Sequence, residues 1–239
     1  MKAMILAAGF GTRLRPLTDT VPKPLIEVAG QPMIAFALRL LREAGIGEAV
    51  VNLHHLGDQI RARLGDGSEL GVRLIYSHED PILDTGGGIA AARAHLAGDR
   101  FAVVNADTFI DIHLADVIAF HIQRGALATM VVRPDPDAVR RDDVCIDAHG
   151  RLRRILGHGE SMSAALQRCL YAGVMILEPR VFSYLDSGVF SITRDTYPRL
   201  LAAGEPLFGF VHRGYWRVLD TPADLAAGRA EIAALVHSE

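Results

Sequence analysis

Short apolar runs rich in β-branched residues alternate along this chain with segments of helical periodicity, and that alternation leaves few folds open. Strands are predicted at Ala3–Ala7, Ala49–Leu53, Val72–Tyr76, Phe101–Asn105, Leu127–Arg133, Tyr171–Leu177 and Leu207–His212. Between the first two, Pro32–Ala44 has apolar residues at Met33, Ile34, Phe36, Leu38, Leu40, Leu41 and Ala44, a spacing that suits a helix packed on a sheet. Ile89–Leu96 and Asp111–Arg124 read as further helices, each after a strand. The last helix opens at Thr221-Pro222, a cap followed by proline in the first turn, and runs to about Val236. Such a pattern predicts an α/β fold, a mostly parallel twisted sheet with helices on both faces. Sheets of this kind bind ligands at the carboxyl ends of their strands. The loops after Ala7, Leu53, Tyr76 and Asn105 are therefore where a site is expected.

The chain has 239 residues, half of them apolar, which suits one domain with a sizeable core. One domain over 1–239 is expected, with halves 1–110 and 111–239. The least regular stretch, 134–168, mixes charges and glycines around a weak strand at Val144–Ile146 and reads as a lid or insertion. No hexapeptide repeat occurs, so no C-terminal β-helix is expected. No apolar stretch reaches the ~18 residues of a membrane span. The opening apolar run is short and ends in Gly9-Phe10-Gly11-Thr12-Arg13 without a cleavage site, so a cytoplasmic protein is expected. Cys145 and Cys169 are too few for a disulfide framework or a zinc knuckle and read as buried small residues. A net charge of −3 argues against a nucleic-acid partner. A monomer or small homo-oligomer is expected.

The most informative segment runs from Leu6 to Thr18 and on to Pro22-Lys23-Pro24. A strand enters a loop with two glycines, where backbone N–H groups can turn toward an anion. Arg13, Arg15 and Lys23 add positive charge, opposed there only by Asp19. Of the 25 basic residues only Lys2 and Lys23 are lysines, which suggests a place at Lys23 for a compact ammonium. The loop is not a P-loop, for no Lys-Ser or Lys-Thr follows it. Nor is it a dinucleotide fingerprint, whose third glycine is Leu14 here and whose ribose-binding acid is missing near Asn52.

Leu-Ala-Ala-Gly-x-Gly-Thr-Arg-Leu-x-Pro-Leu-Thr followed by Pro-Lys-Pro resembles the signature of the sugar-1-phosphate nucleotidylyltransferases. The likeness covers most of the chain and is strongest in 1–110 and 170–225. It implies that 1–110 binds the nucleotide and 111–239 the sugar. Arg13 would hold the β- and γ-phosphates, and Lys23 the α-phosphate and the sugar phosphate. Ala7, Ala8 and Gly9, with Gly11 and Thr12, would line the nucleotide. Leu83-Asp84-Thr85-Gly86-Gly87-Gly88 follows a strand and opens a helix that Asp84 or Thr85 could cap; by the resemblance Gly86 and Gly87 approach the base. Asn52 ends the second strand beside that pocket, with His54 and His55 as rim or structural residues. Asn105-Ala106-Asp107 ends an apolar strand, and Asp107 is well placed to hold Mg²⁺ against phosphates. Gly173, in Tyr171-Ala172-Gly173, matches a sugar-side strand.

Two departures from the pattern stand out. The family ending Trp-x-Asp-Val/Ile-Gly-Thr-Pro reads Trp216-Arg217-Val218-Leu219-Asp220-Thr221-Pro222 here, so Val218 stands where the metal aspartate is expected and Asp220 where the glycine is. Either Asp220 reaches the metal from its shifted position, or it caps the last helix and Asp107 acts alone with phosphate and water. The Glu-Lys-Pro triad of many relatives is also missing, leaving Arg153 or Arg154 as candidate replacements. The Gly86–Gly88 loop resembles that of N-acetylmuramate-1-phosphate uridylyltransferases. Phe190–Asp195 and Gly214-Tyr215-Trp216 resemble mannose-1-phosphate guanylyltransferases. The expected substrates are thus a nucleoside triphosphate and a sugar-1-phosphate, UTP with N-acetylmuramate-1-phosphate or GTP with mannose-1-phosphate. The rival readings are a catalytically silent regulatory subunit, favoured by Val218, and a cytidylyltransferase for a non-sugar phosphate.

Overall fold

A computed structural model describes residues 1–135 and 143–236. The first half contains β1 (Lys2–Leu6), β2 (Glu27–Val28), β3 (Gln31–Pro32), α1 (Ile34–Glu43), β4 (Glu48–Leu53), α2 (Gly57–Leu64), β5 (Arg73–His78), α3 (Asp84–Ala91), α4 (Arg93–Leu96), β6 (Phe101–Asn105) and β7 (Thr108–Ile110). There follow α5 (Leu114–Gln123), β8 (Ala128–Pro134), β9 (Val144–Ile146), β10 (Leu152–Ile155), β11 (His158–Gly159), β12 (Gln167–Leu177), α6 (Tyr197–Ala202), β13 (Leu207–Val211), β14 (Trp216–Val218) and α7 (Pro222–Val236).

In the first half the expected parallel sheet forms, in the order β6-β1-β4-β5. The chain leaves β1 toward β4 and β5, then returns to the other side of β1 with β6, which creates a switch point between β1 and β6. Strand β12 runs antiparallel to β6, and on its other edge to β8, while β13 joins β8 in parallel. The second half is thus mixed, because the connections around β12 are not βαβ crossovers.

Strand β1 illustrates the burial pattern. Ala3 and Ile5 face one core with Ile34, Leu38 and Leu41 of α1, Ile60 of α2 and Val117 of α5. Met4 faces the other with Ile89 of α3, Leu96 of α4 and Tyr197 of α6. Both faces of the strand are covered, so it reads as a continuous apolar run rather than an alternating one. A third core holds Ile26, Val28, Met33, Phe36, Phe109, Leu219, Leu225 and Ile232. It fastens α7 and the β2–β3 hairpin over the end of α1, and sequence reading did not foresee the hairpin.

The weak strand at Val144–Ile146 is present as β9, and with β10 and β11 it forms an antiparallel ribbon on the edge of β12. The described part of 134–168 is therefore an extension of the sheet, and residues 136–142 of that stretch lie outside the described residues. Both cysteines are buried, as expected. No helix among the described residues is long and apolar enough to cross a membrane.

Candidate active site

Beyond the carboxyl ends of β1, β4, β5 and β6 lies a largely apolar cavity of about 410 Å³, lined among others by Ala7, Ala8, Gly9, Phe10, Lys23, Asn52, Glu79, Asp84, Thr85, Asn105 and Asp107. Next to it, a more polar cavity of about 750 Å³ is lined by Arg13, Arg133, Tyr171, Trp216, Val218 and Asp220 among others. Lys23 and Asp107 belong to the first and Arg13 and Asp220 to the second, so the charged group formed by these four lies between the two.

The loop after β1 is anchored from outside. Asn52, buried at the end of β4, accepts the Ala7 N–H at 2.7 Å, and its amide donates to Glu79 Oε1 at 2.8 Å. The Glu79 carboxylate is 1% exposed and also accepts the Leu83 N–H at 2.9 Å. Asn52 thus acts mainly on the loop and on Glu79. No protein acceptor is found among the described residues for the N–H groups of Ala8, Gly9, Phe10 and Gly11, the condition of an anion-binding nest. Gly11 sits at φ +61, and a Cβ there would come within 2.8 Å of Thr18 Cγ2 and 3.1 Å of Lys23 Cβ. Its role is to let the loop fold against Lys23. Thr12 and Arg13 follow in an exposed 3-10 turn. His55 bonds to the Thr18 carbonyl and His54 to the Glu79 carbonyl, with the Phe10 ring against both imidazoles. The histidines are structural.

Lys23 is 7% exposed. Its Nζ donates to Asp107 Oδ2 at 2.5 Å and to Asp220 Oδ1 at 2.8 Å. Arg13 reaches Asp220 Oδ2 at 2.5 Å. Burial alone would lower the Lys23 pKa; Asp107, and after it Asp220, outweigh that and hold it above its ordinary value. Asp220 arrives there because β14 pairs antiparallel with β7, Val218 opposite Thr108, and because the Leu219 N–H bonds the Asp107 carbonyl at 2.9 Å. Asp220 does not cap α7. That role belongs to Thr221, whose Oγ1 accepts the Asp224 N–H while Asp224 Oδ2 accepts the Thr221 N–H.

Several expected contacts differ in the structure. Gly86 and Gly87 do not line the cavity: both N–H groups donate to the Phe190 carbonyl, and a Cβ at Gly86 would enter the Phe190 ring. These glycines let the 186–195 segment close onto α3. The residues of that turn facing the apolar cavity are Asp84 and Thr85, and neither caps the helix, whose N-cap is Leu83. Asp84 instead pairs with Arg194, and Thr85 Oγ1 accepts the Ile192 N–H. Gly173, at φ +84, packs its α-carbon beside Thr108 and Asn105, where a Cβ would come within 2.8 Å of Thr108 Oγ1. Asn105 and Asp107 both line the apolar cavity. Arg153 bonds Asp147 and Glu160, and Arg154 bonds Asp143 and the Glu160 carbonyl, so both are spent within the β9–β11 ribbon and line neither cavity. Glu79 and Arg133 were missed; a carboxylate after β5 and an arginine within an apolar strand were the available signals.

Among the described residues no three or more His, Cys, Asp or Glu side chains cluster as a metal site. The donor set still suits a hard cation: two carboxylates from distant segments already share one ammonium. Magnesium commonly takes one or two carboxylates and completes its shell with water and phosphate oxygens.

The model of the nucleotidyl transferase family matches residues 2–234. The chain belongs to this family of sugar-1-phosphate nucleotidylyltransferases. It is 40% identical over 191 residues to the N-acetylmuramate alpha-1-phosphate uridylyltransferase of Neisseria meningitidis serogroup B, covering 79% of this chain and 80% of that protein. It is 33% identical over 232 residues to the mannose-1-phosphate guanylyltransferase of Mycobacterium tuberculosis, covering 96% and 64%. Against the UTP–glucose-1-phosphate uridylyltransferase of Synechocystis sp. it is 33% identical over 222 residues, covering 87% and 57%. The chain thus spans roughly three fifths of the length of several curated relatives. In fold, it matches HddC from Yersinia pseudotuberculosis with a TM-score of 0.80 at 22% identity, covering 97% of this chain and 99% of that one.

Proposed function

We propose that the protein joins a nucleoside triphosphate to a sugar-1-phosphate, releasing pyrophosphate and a nucleotide sugar. The observation that carries this is the convergence of Arg13, Lys23, Asp107 and Asp220 between two cavities, one apolar and sized for a nucleoside, one polar.

The nucleophile is a phosphate oxygen of the sugar-1-phosphate, already anionic at neutral pH, so no general base is needed. It attacks the α-phosphorus in line, a new P–O bond forms, and the bond to the β-phosphate oxygen breaks. Catalysis is then positioning and charge neutralisation. Lys23 offsets repulsion between the two anionic substrates. Arg13, exposed at the rim, stabilises the departing pyrophosphate, and the free N–H groups of Ala8 to Gly11 hold triphosphate oxygens. Asp107 and Asp220 would hold Mg²⁺, which supplies charge neutralisation on the phosphate oxygens. Gly173 lets β12 approach β7 closely on the sugar side.

The Glu79 carboxylate is an acceptor in the base cavity. It suits bases with a ring N–H, such as uracil or guanine, and is mismatched to the bare ring nitrogen that cytosine and adenine present beside their amino group. This supports UTP, dTTP or GTP over CTP or ATP. The test is pyrophosphate release with Mg²⁺, crossing UTP, GTP, CTP, ATP and dTTP against a panel of sugar-1-phosphates. One strongly preferred pair establishes the activity. Silence across the panel with nucleotide binding retained makes the protein a non-catalytic nucleotide binder.

A further inference from the structure

The polar cavity holds three arginines, and they are not equivalent. Arg13 is paired with Asp220 and Arg217 with Glu231. Arg133, on β8, has no carboxylate partner among the described residues. It is nonetheless held in place: one N–H donates to the Gly214 carbonyl, and the guanidinium carbon lies 5.6 Å from the centre of the Trp216 ring. The indole is itself fixed, since its Nε1 donates to the Ala172 carbonyl at 3.1 Å. A guanidinium held over a ring face and by one carbonyl keeps its remaining N–H groups available, and the fork geometry of a guanidinium edge matches a carboxylate. Behind it stands buried His212, whose pKa is lowered first by burial and further by the Arg133 charge, so the imidazole adds no second cation.

Position decides what such a group reads. Val218 is opposite Thr108, beside Asp107, and Trp216 is opposite Ile110, two residues further along. Two strand residues span about 7 Å. Arg133 over Trp216 therefore lies away from the phosphate-transfer centre by roughly the breadth of a pyranose ring.

We propose that Arg133 is a specificity residue that binds a carboxylate carried by the sugar away from its anomeric carbon, so that the preferred sugar-1-phosphate is an acidic one. This rests on the transferase reading above. A cationic edge already ordered in the free protein loses little entropy on binding. A neutral sugar at the same place would leave that edge unmatched.

The test compares N-acetylmuramate-1-phosphate with N-acetylglucosamine-1-phosphate, which differ by the carboxylate-bearing lactyl ether, in the parent protein, Arg133→Gln and Arg133→Lys. The parent is expected to prefer the acidic sugar. In Arg133→Gln the ratio of kcat/KM for acidic over neutral sugar is expected to fall roughly 10- to 100-fold, mainly through KM, the range for a charge-assisted hydrogen bond. Arg133→Lys should recover part of it, since an ammonium keeps the charge and lacks the fork. The ratio is insensitive to a misfolded fraction, which lowers both rates alike. An unchanged ratio, or a parent that prefers the neutral sugar, overturns the proposal. If no sugar phosphate turns over, the transferase reading fails on its own. Calorimetry with N-acetylmuramate-1-phosphate then reads Arg133 directly: weaker binding to Arg133→Gln supports the assignment, and equal or absent binding overturns it.

Discussion

Replacing Lys23 with methionine removes one ammonium from between two carboxylates while keeping a side chain of similar length. The ammonium is 2.5 Å from Asp107 Oδ2 and 2.8 Å from Asp220 Oδ1. The carboxylates are partly screened, with side-chain exposures of 28% and 19%, and Asp220 keeps Arg13 as a partner. A unit charge pair at ~4 Å interacts by about 4 kcal/mol at an effective dielectric near 20. The variant also no longer desolvates the ammonium, which returns part of that sum, so a net loss of about 2 kcal/mol is expected. For a domain of this size that lowers Tm by roughly 4–8 °C. The assay is thermal unfolding by circular dichroism in EDTA, repeated with Mg²⁺ and no nucleotide. Mg²⁺ should raise Tm more in the variant than in the parent, because the two carboxylates then lack their internal cation. The pH dependence has a definite sign. The folded-state pKa of Lys23 is raised above 10.5, so the stabilisation is fully present below that value and is lost only as pH rises past it. The Tm gap should hold constant through neutral pH and close in strong alkali. A variant that melts with the parent in EDTA and ignores Mg²⁺ would refute the shared-ammonium account.

Other outcomes follow from the same geometry. Arg13→Ala and Asp107→Ala should each lower turnover about 10²–10³-fold with little change in fold, checked by pyrophosphate release and near-UV dichroism. Glu79→Gln should raise the ratio of CTP to UTP or GTP use by about 10-fold, because an amide can donate to the ring nitrogen of cytosine; an unchanged ratio removes Glu79 from base selection. Gly86→Ala should destabilise by about 1–3 kcal/mol, because the new Cβ enters the Phe190 ring, and chemical denaturation reads it directly. Burial pushes the Cys145 thiol up to about 11, with Asp143 adding to it, and Cys169 up to about 12. Neither should react with a disulfide reagent at about pH 8 until the chain unfolds, and their contribution to stability should fade as pH rises from 9.0 through those values.

What could be read from the sequence was mostly what neighbouring residues decide. Strand β1 and the loop after it are local, so the positive charge of Arg13 and Lys23 beside a glycine loop and the Asp107 carboxylate at a strand end could be read from the residues, whereas the contacts of Ala7 to Gly9 came from the family resemblance. Thr221-Pro222 marks the start of α7 because capping is local too. Partners distant in sequence were not legible. The β7–β14 pair joins segments about a hundred residues apart, and nothing in Thr108-Phe109-Ile110 announces it. The glycines of α3 looked like a ligand loop because close backbone approach is what glycine permits, and sequence does not say whether a nucleotide or the Phe190 ring makes the approach. Arg153 and Arg154 were candidates by charge alone, and the carboxylates of Asp143, Asp147 and Glu160 claim them.

The exchange at Val218 and Asp220 has a geometric reading that the letters alone conceal. In an extended segment successive side chains alternate faces, so a group moved by two positions stays on the same face. Val218 and Asp220 both line the polar cavity, while Leu219 between them is fully buried against α7. Gly228 of α7 leaves room for the Leu219 side chain, where a Cβ would collide with it. The carboxylate that the family pattern leads one to expect at Val218 thus stands two residues further along the chain, beyond the end of β14, and still faces the cavity, and Leu219 locks that register by burying its side chain under α7 and bonding its N–H to the Asp107 carbonyl. A shift by one residue would have pointed the acid into the core, where an unpaired carboxylate is costly. On this argument Val218→Asp combined with Asp220→Gly should recover much of the activity that Asp220→Gly alone removes. Failure of that rescue would mean that the site has been rebuilt around Asp220 rather than merely re-registered.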